Sequence, residues 1–221
     1  MPGRKYLGRG GPLTSRTRLT LANKSVADLV HVVDVSDTTD SSGGTSKYMT
    51  VGDLTNSINN VSVSSQTPFA SDTYLVGSKI AIPAGYPVIG TTYKCIFDVT
   101  KTGAGIAAPT LILRIGTLGT TGDAAICTIA FGAGTAVIDT GIFELLATFR
   151  TVGAGTVAVV QSFAKLVNNL TITGLSNAVK AKAVTSAGFN STTAALQVGV
   201  SYNGGASAAH TIQLVRSELV L

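Results

Sequence analysis

From Tyr74 onward, apolar and polar residues alternate. Tyr93, Cys95, Phe97 and Val99 are interleaved with Lys94 and Asp98. Leu111, Leu113 and Ile115 are set against Thr110 and Arg114, and Phe143, Leu145, Ala147 and Phe149 against Glu144, Thr148 and Arg150. Leu196, Val198, Val200 and Tyr202 are set against Gln197 and Ser201. A period of two places one set of side chains on each face of a strand, so these segments read as half-buried β-strands. The pattern predicts nine strands, over 75–82, 92–99, 109–116, 124–131, 142–152, 156–166, 178–185, 194–202 and 210–221. Glycine-bearing joints such as 101–105, 116–122 and 132–134 separate them. No segment has a helical period long enough for the crossover that a parallel sheet requires. The expected fold is therefore all-β, an antiparallel jelly-roll-like sandwich over residues 73–221.

The pattern differs before residue 73. Residues 28–35 form an apolar, β-branched run, residues 36–45 are dense in turn formers, and Lys47-Tyr48-Met49-Thr50-Val51 reads as a return strand. A short helix is expected over 52–58, with Thr50 or Asp53 near its start. Residues 28–58 thus read as a hairpin module. A lone hairpin is marginal in water, so the module is expected to need a partner, and Val32, Val33, Val35, Tyr48 and Leu54 are its candidate oligomerisation residues. Residues 59–72 are rich in Asn, Ser, Thr and Gln and read as a linker or strand-rimmed loop. Residues 1–27 read as an extended arm with too little apolar content to fold alone.

Charge sharpens this division. The net charge is +5, yet residues 1–27 hold six basic residues and no acid, leaving ten basic against eleven acidic residues in 28–221. The basic character belongs to the arm, where Arg4, Lys5, Arg9, Arg16 and Arg18 are candidates for anchoring to an acidic surface. The chain contains no apolar run of membrane-spanning length. Its first residues are not expected to act as a signal peptide. Cys95 and Cys127 fall inside predicted strands and read as small buried hydrophobes. A disulfide between neighbouring strands has no support in the spacing.

Candidate chemistry is sparse. His31 and His210 have no ligand at metal-binding spacing. Asp34, Asp37 and Asp40 recur every three residues, but a calcium loop starting at Asp37 would meet Ser42 and Tyr48 where glycine and glutamate are required. Gly116, Gly119 and Gly122 lack the lysine and helix of a phosphate loop. Asp72, Asp98, Asp123, Asp139, Glu144 and Glu218 are scattered. Lys180 and Lys182 alternate on one strand and read as a solvated face. No cofactor, metal or catalytic residue is expected.

Two stretches carry a resemblance. Residues 32–41 with 44–54, Val-Val-Asp-Val-Ser-Asp-Thr-Thr-Asp-Ser and Gly-Thr-Ser-Lys-Tyr-Met-Thr-Val-Gly-Asp-Leu, resemble the short module near the N-termini of phage fibre and other appendage proteins. Residues 90–102, with 109–116, 122–125 and 139–141, resemble the β-rich domain of phage minor structural and head-decoration proteins. The resemblance implies a tailed-bacteriophage virion protein, located on the particle, self-associating as a homotrimer and not catalytic. Its implied partners are capsid, portal, neck or tail proteins. Two alternatives stand beside this reading. One is a module binding a host surface glycan, with Tyr86 and Tyr202 as the aromatic candidates. The other is a jelly-roll capsid protein whose arm binds nucleic acid, although the arm is sparse for that role.

Overall fold

The computed structural model describes residues 29–34, 45–50, 58–82, 87–170, 173–176, 180–192, 195–205 and 209–220. The chain divides into two units, Met1–Asn56 and Ser57–Leu221.

In the first unit, β1 (Leu29–Asp34) and β2 (Thr45–Thr50) form an antiparallel pair, with His31 opposite Tyr48 and Val32 opposite Lys47. This is the hairpin the apolar run predicts. Residues 52–57 of the expected helix lie outside the described residues.

The second unit is a β-sandwich. Its strands are β3 (Ile58–Ser62), β4 (Thr73–Tyr74), β5 (Ile80–Ile82), β6 (Thr92–Lys101), β7 (Thr110–Gly116) and β8 (Ala124–Ala130), then β9 (Asp139–Thr151), β10 (Val159–Asn168), β11 (Ala181–Thr185), β12 (Leu196–Asn203), β13 (His210–Thr211) and β14 (Val215–Val220). One sheet runs β11-β10-β9-β6-β14-β3, with β13 also on β6. The other runs β4-β12-β7-β8, with β5 also on β12. All pairings are antiparallel. The chain changes sheet after β3, β5, β6, β8, β11 and β12. The resulting orders β3-β14-β6-β9 and β5-β12-β7-β8 are those of a jelly roll. The hairpin β10–β11 widens the first sheet.

Each predicted inward row is buried. Tyr93, Cys95, Phe97 and Val99 of β6 meet Leu111, Leu113 and Ile115 of β7 and Phe143, Leu145, Ala147 and Phe149 of β9 in one core. At its centre, Phe143 packs on Phe97, Phe131 and Tyr202, with ring centroids 5.2, 4.9 and 5.6 Å apart. Cys95 and Cys127 are free, buried, and on opposite sheets. Burial pushes the Cys95 thiol up to about 12.

The departures from the predicted pattern have local causes. Ile58, expected to end a helix, starts β3, so the expected linker carries an edge strand paired with β14. The predicted strand 75–82 is broken by a turn at Gly77, whose φ is +91°. An added Cβ there would lie 2.6 Å from the Ser62 backbone nitrogen, so only glycine fits. Ser78 bridges the break: its hydroxyl donates to the Leu75 carbonyl at 2.7 Å and accepts from the Val200 N–H at 3.1 Å. The last strand is interrupted too. His210 pairs with Lys101 but Val215 with Phe97, a slip of one residue. There the Asp98 carboxylate accepts the N–H groups of Gln213 and Leu214 at 2.9 and 2.7 Å.

Candidate functional site

Three places in the sandwich gather polar or exposed apolar side chains. The first is on the outer side of the β12–β7 pair. Arg114 alternates with the core residues of β7, yet it is nearly buried. It donates through Nε to Ser201 at 2.8 Å, to the Asp123 carbonyl at 2.7 Å, and to the Asp72 carboxylate. Asp123 turns its own carboxylate to the N–H groups of Leu118 and Gly119, at 2.9 and 2.6 Å. The ring of Tyr74 lies against Gly199. Burial and the Asp123 charge hold its phenol protonated well above the ordinary range.

The second is an end of the sandwich where β6, β9 and β10 start or stop. Lys101, the last residue of β6, is fully buried. Its ammonium donates to the carbonyls of Thr102, Thr135 and Val137 at 3.1, 2.6 and 2.7 Å. Asp139, first in β9, accepts from the N–H groups of Thr140 and Leu175, both at 2.9 Å, and from the Asn168 side chain. Lys180 donates to Asn168 Oδ1 at 2.7 Å and to the Ser176 carbonyl. Its reading as part of a solvated face is therefore corrected for Lys180. Asn168, twelve positions away, and the Ser176 carbonyl engage it, with the Asp139 charge beyond, while Lys182 is exposed as expected. Beside this cluster the Tyr202 hydroxyl and His210 Nδ1 lie 2.6 Å apart. Burial, assisted by the Lys101 charge, pushes the imidazole down to about 4, so it is neutral at pH 7.

The third is the outer face of the wider sheet. Register aligns Lys165, Glu144, Ile96, Arg216 and Val61 across five strands. Phe163, Leu146, Lys94, Glu218 and Asn59 form the next row. Lys165 pairs with Glu144 at 2.7 Å and Lys94 with Glu218 at 3.5 Å. Ile142, Phe163 and Val167 are exposed among them.

Of the residues singled out by sequence, Arg4, Lys5, Arg9, Arg16, Arg18, Val35, Leu54 and Tyr86 lie outside the described residues. Val32, Val33 and Tyr48 are on the hairpin, and Tyr48 is exposed. Tyr202 is fully buried among Phe69, Phe97 and Phe143. It cannot stack on a sugar, which corrects its reading as a glycan contact. Among the described residues, no group of three or more His, Cys, Asp or Glu side chains is placed to hold a metal ion. No described helix is long and apolar enough to cross a membrane. The clusters around Arg114 and Asn168 were missed by sequence reading, because their members are up to 87 positions apart and share no motif.

No family model matches the chain, and no curated protein matches it. Among solved structures, a glycosyl hydrolase family protein from Mycobacterium fortuitum is similar at 13% identity, over 72% of this chain and 74% of that one, with a TM-score of 0.21. A likeness of that size carries no argument about this chain.

Proposed function

We propose that this chain is a structural protein of a tailed-bacteriophage particle, held there by its N-terminal region and displaying the jelly roll. The observation that carries the reading is the division into a small hairpin-bearing unit and a sandwich with its own closed core. The two stretches resembling phage appendage and decoration proteins fall one on each unit. In the second unit Lys101 and Asp123 serve backbone groups and Arg114 pairs with Asp72, which suits a scaffold. Self-association through Val32, Val33, Val35, Tyr48 and Leu54, with anchoring through the basic arm, belongs to the same proposal.

Mass spectrometry of gradient-purified particles tests location: absence of the chain from particles defeats the reading. Light scattering of the full chain and of a chain starting at Ser57 tests assembly. A trimer that becomes a monomer on shortening assigns self-association to residues 1–56. Two trimers assign it to the sandwich. Two monomers remove the trimeric part of the reading.

A further inference from the structure

Asn168 closes β10 and Lys180 stands immediately before β11, its antiparallel neighbour. The Leu166 N–H donates to the Lys180 carbonyl at 2.6 Å, so the backbones are already paired where the two side chains meet. Asp139, at the start of β9, reaches the same point from the other side of β10. The three side chains form a chain of contacts: the Lys180 ammonium donates to Asn168 Oδ1 at 2.7 Å, and Asn168 Nδ2 donates to the Asp139 carboxylate. The amide orientation follows from chemistry, because an ammonium has no acceptor and a carboxylate no donor.

We propose that Lys180 and Asn168 join in an intramolecular isopeptide bond, with Asp139 as the general acid and base. The ammonium, its hold on the proton weakened by burial, first gives up one proton to solvent. The freed lone pair of Nζ adds to Asn168 Cγ, forming the new C–N bond. The Asp139 carboxylate takes the second proton from Nζ and delivers it to Nδ2, the Cγ–Nδ2 bond breaks, and ammonia leaves. Nothing is oxidised or reduced, and no co-reactant is consumed.

Several features of the site favour this step. The amine is held against the amide by its strands, which replaces a bimolecular encounter with an oriented one. The carboxylate that must move the proton touches the leaving nitrogen and is nearly buried. The charge balance is uneven: the Lys101 and Lys180 ammoniums both lie in the field of the Asp139 carboxylate. Lys101 is fixed as a cation by three carbonyls. Burial lowers the Lys180 ammonium from its ordinary value, so the neutral amine forms more readily there. Bond formation removes the surplus positive charge and leaves Lys101 with Asp139. Around Nδ2 the Leu170 carbonyl at 2.6 Å and the Thr173 carbonyl at 3.4 Å join Asp139. Three acceptors face a group with two hydrogens, an arrangement better filled by departing ammonia than by the amide.

The test is the intact mass of the purified full chain, followed by trypsin digestion and fragment sequencing. The expected result is a chain one ammonia lighter than its sequence. Trypsin then fails after Lys180, and the fragment 166–182 carries the loss as an internal loop. Lys180→Arg keeps a cation in place but blocks the bond, so that chain is expected at full sequence mass with cleavage restored. Asp139→Asn is expected at full mass as well. A folded wild-type chain at full mass, still so after prolonged incubation, overturns the proposal. So does a loss of ammonia with normal cleavage at Lys180, the signature of a cyclic imide at an asparagine. If Asp139→Asn does not fold, Lys180→Arg and the wild-type digest decide alone.

Discussion

Phe69 lies within the stretch that reads as a linker, and substituting it separates that reading from the fold observed. Its side chain is 1% exposed. The ring meets Tyr202 edge-on at 5.4 Å, and the Gly204 N–H donates to its carbonyl at 2.9 Å. In a solvated linker, Phe69→Ala would change stability by no more than about 0.5 kcal/mol. In the core it removes a buried aromatic and leaves a cavity between the two sheets, at a cost of roughly 3–5 kcal/mol. Set against a typical domain stability of about 5–15 kcal/mol, that is a large share. Urea unfolding followed by near-ultraviolet circular dichroism measures it, because Tyr93 and Tyr202 report the packed core. The midpoint should fall with the slope unchanged. Val63→Ala is the control: Val63 lies in the same stretch but is 78% exposed, and its midpoint should stay in place. Equal midpoints for Phe69→Ala and wild type would refute the placement of residues 58–72 in the sandwich.

Acid should weaken the sandwich through His210. Its folded value near 4 lies below the ordinary 6.5, so the unfolded chain binds the proton first. The contribution is complete above pH 6.5 and is lost as pH falls from 6.5 towards 4, by up to about 3 kcal/mol. Urea midpoints across that window should slope for wild type and flatten for His210→Gln; equal slopes would reject the assignment. Gly77→Ala forces an L residue to φ +91° against backbone and should cost roughly 1–3 kcal/mol in the same assay, so an unchanged midpoint counts against the turn. Lys101→Met leaves three buried carbonyls without their donor and should cost roughly 2–5 kcal/mol. A neutral result there would mean that water replaces the ammonium.

The alternation made the inner faces of β6, β7, β9 and β12 readable, because period two leaves little freedom once one face is apolar. It also placed Tyr202 with Val198 and Val200, and that row, rather than closeness to a turn, decided the burial of the ring. β3 escaped because its inward positions are Ile58, Asn60 and Ser62. Asn60 spends its amide on the Lys79 carbonyl, and Ser217 donates to the Asn60 carbonyl. An edge strand held by polar side chains has the composition of a linker. Arg114 stood at a polar position, as read. Its burial depends on Asp72 and Ser201, and local pattern contains no record of such partners.

Polar side chains at the breaks and ends of the strands follow one rule, and a contact outside it is informative. Asp98 bonds two N–H groups where β13 gives way to β14, and Ser78 bonds an N–H where β4 gives way to β5. Asp123 caps the β7–β8 turn, and Lys101 collects carbonyls beyond the end of β6. In each case a side chain completes backbone pairing that the ladder leaves open, which a buried peptide group requires. These residues therefore need no catalytic or binding role to explain their placement. Lys180 and Asn168 differ: the ammonium spends a hydrogen bond on another side chain, and that side chain is an amide backed by a carboxylate. Arg114 with Ser201 and Asp72, and Tyr202 with His210, are side-chain pairs too, but none of them sets a primary amine against a carboxamide. Backbone pairing does not account for the Lys180–Asn168 contact, which joins an amine to an amide beside a carboxylate, and the new bond is proposed there for that reason.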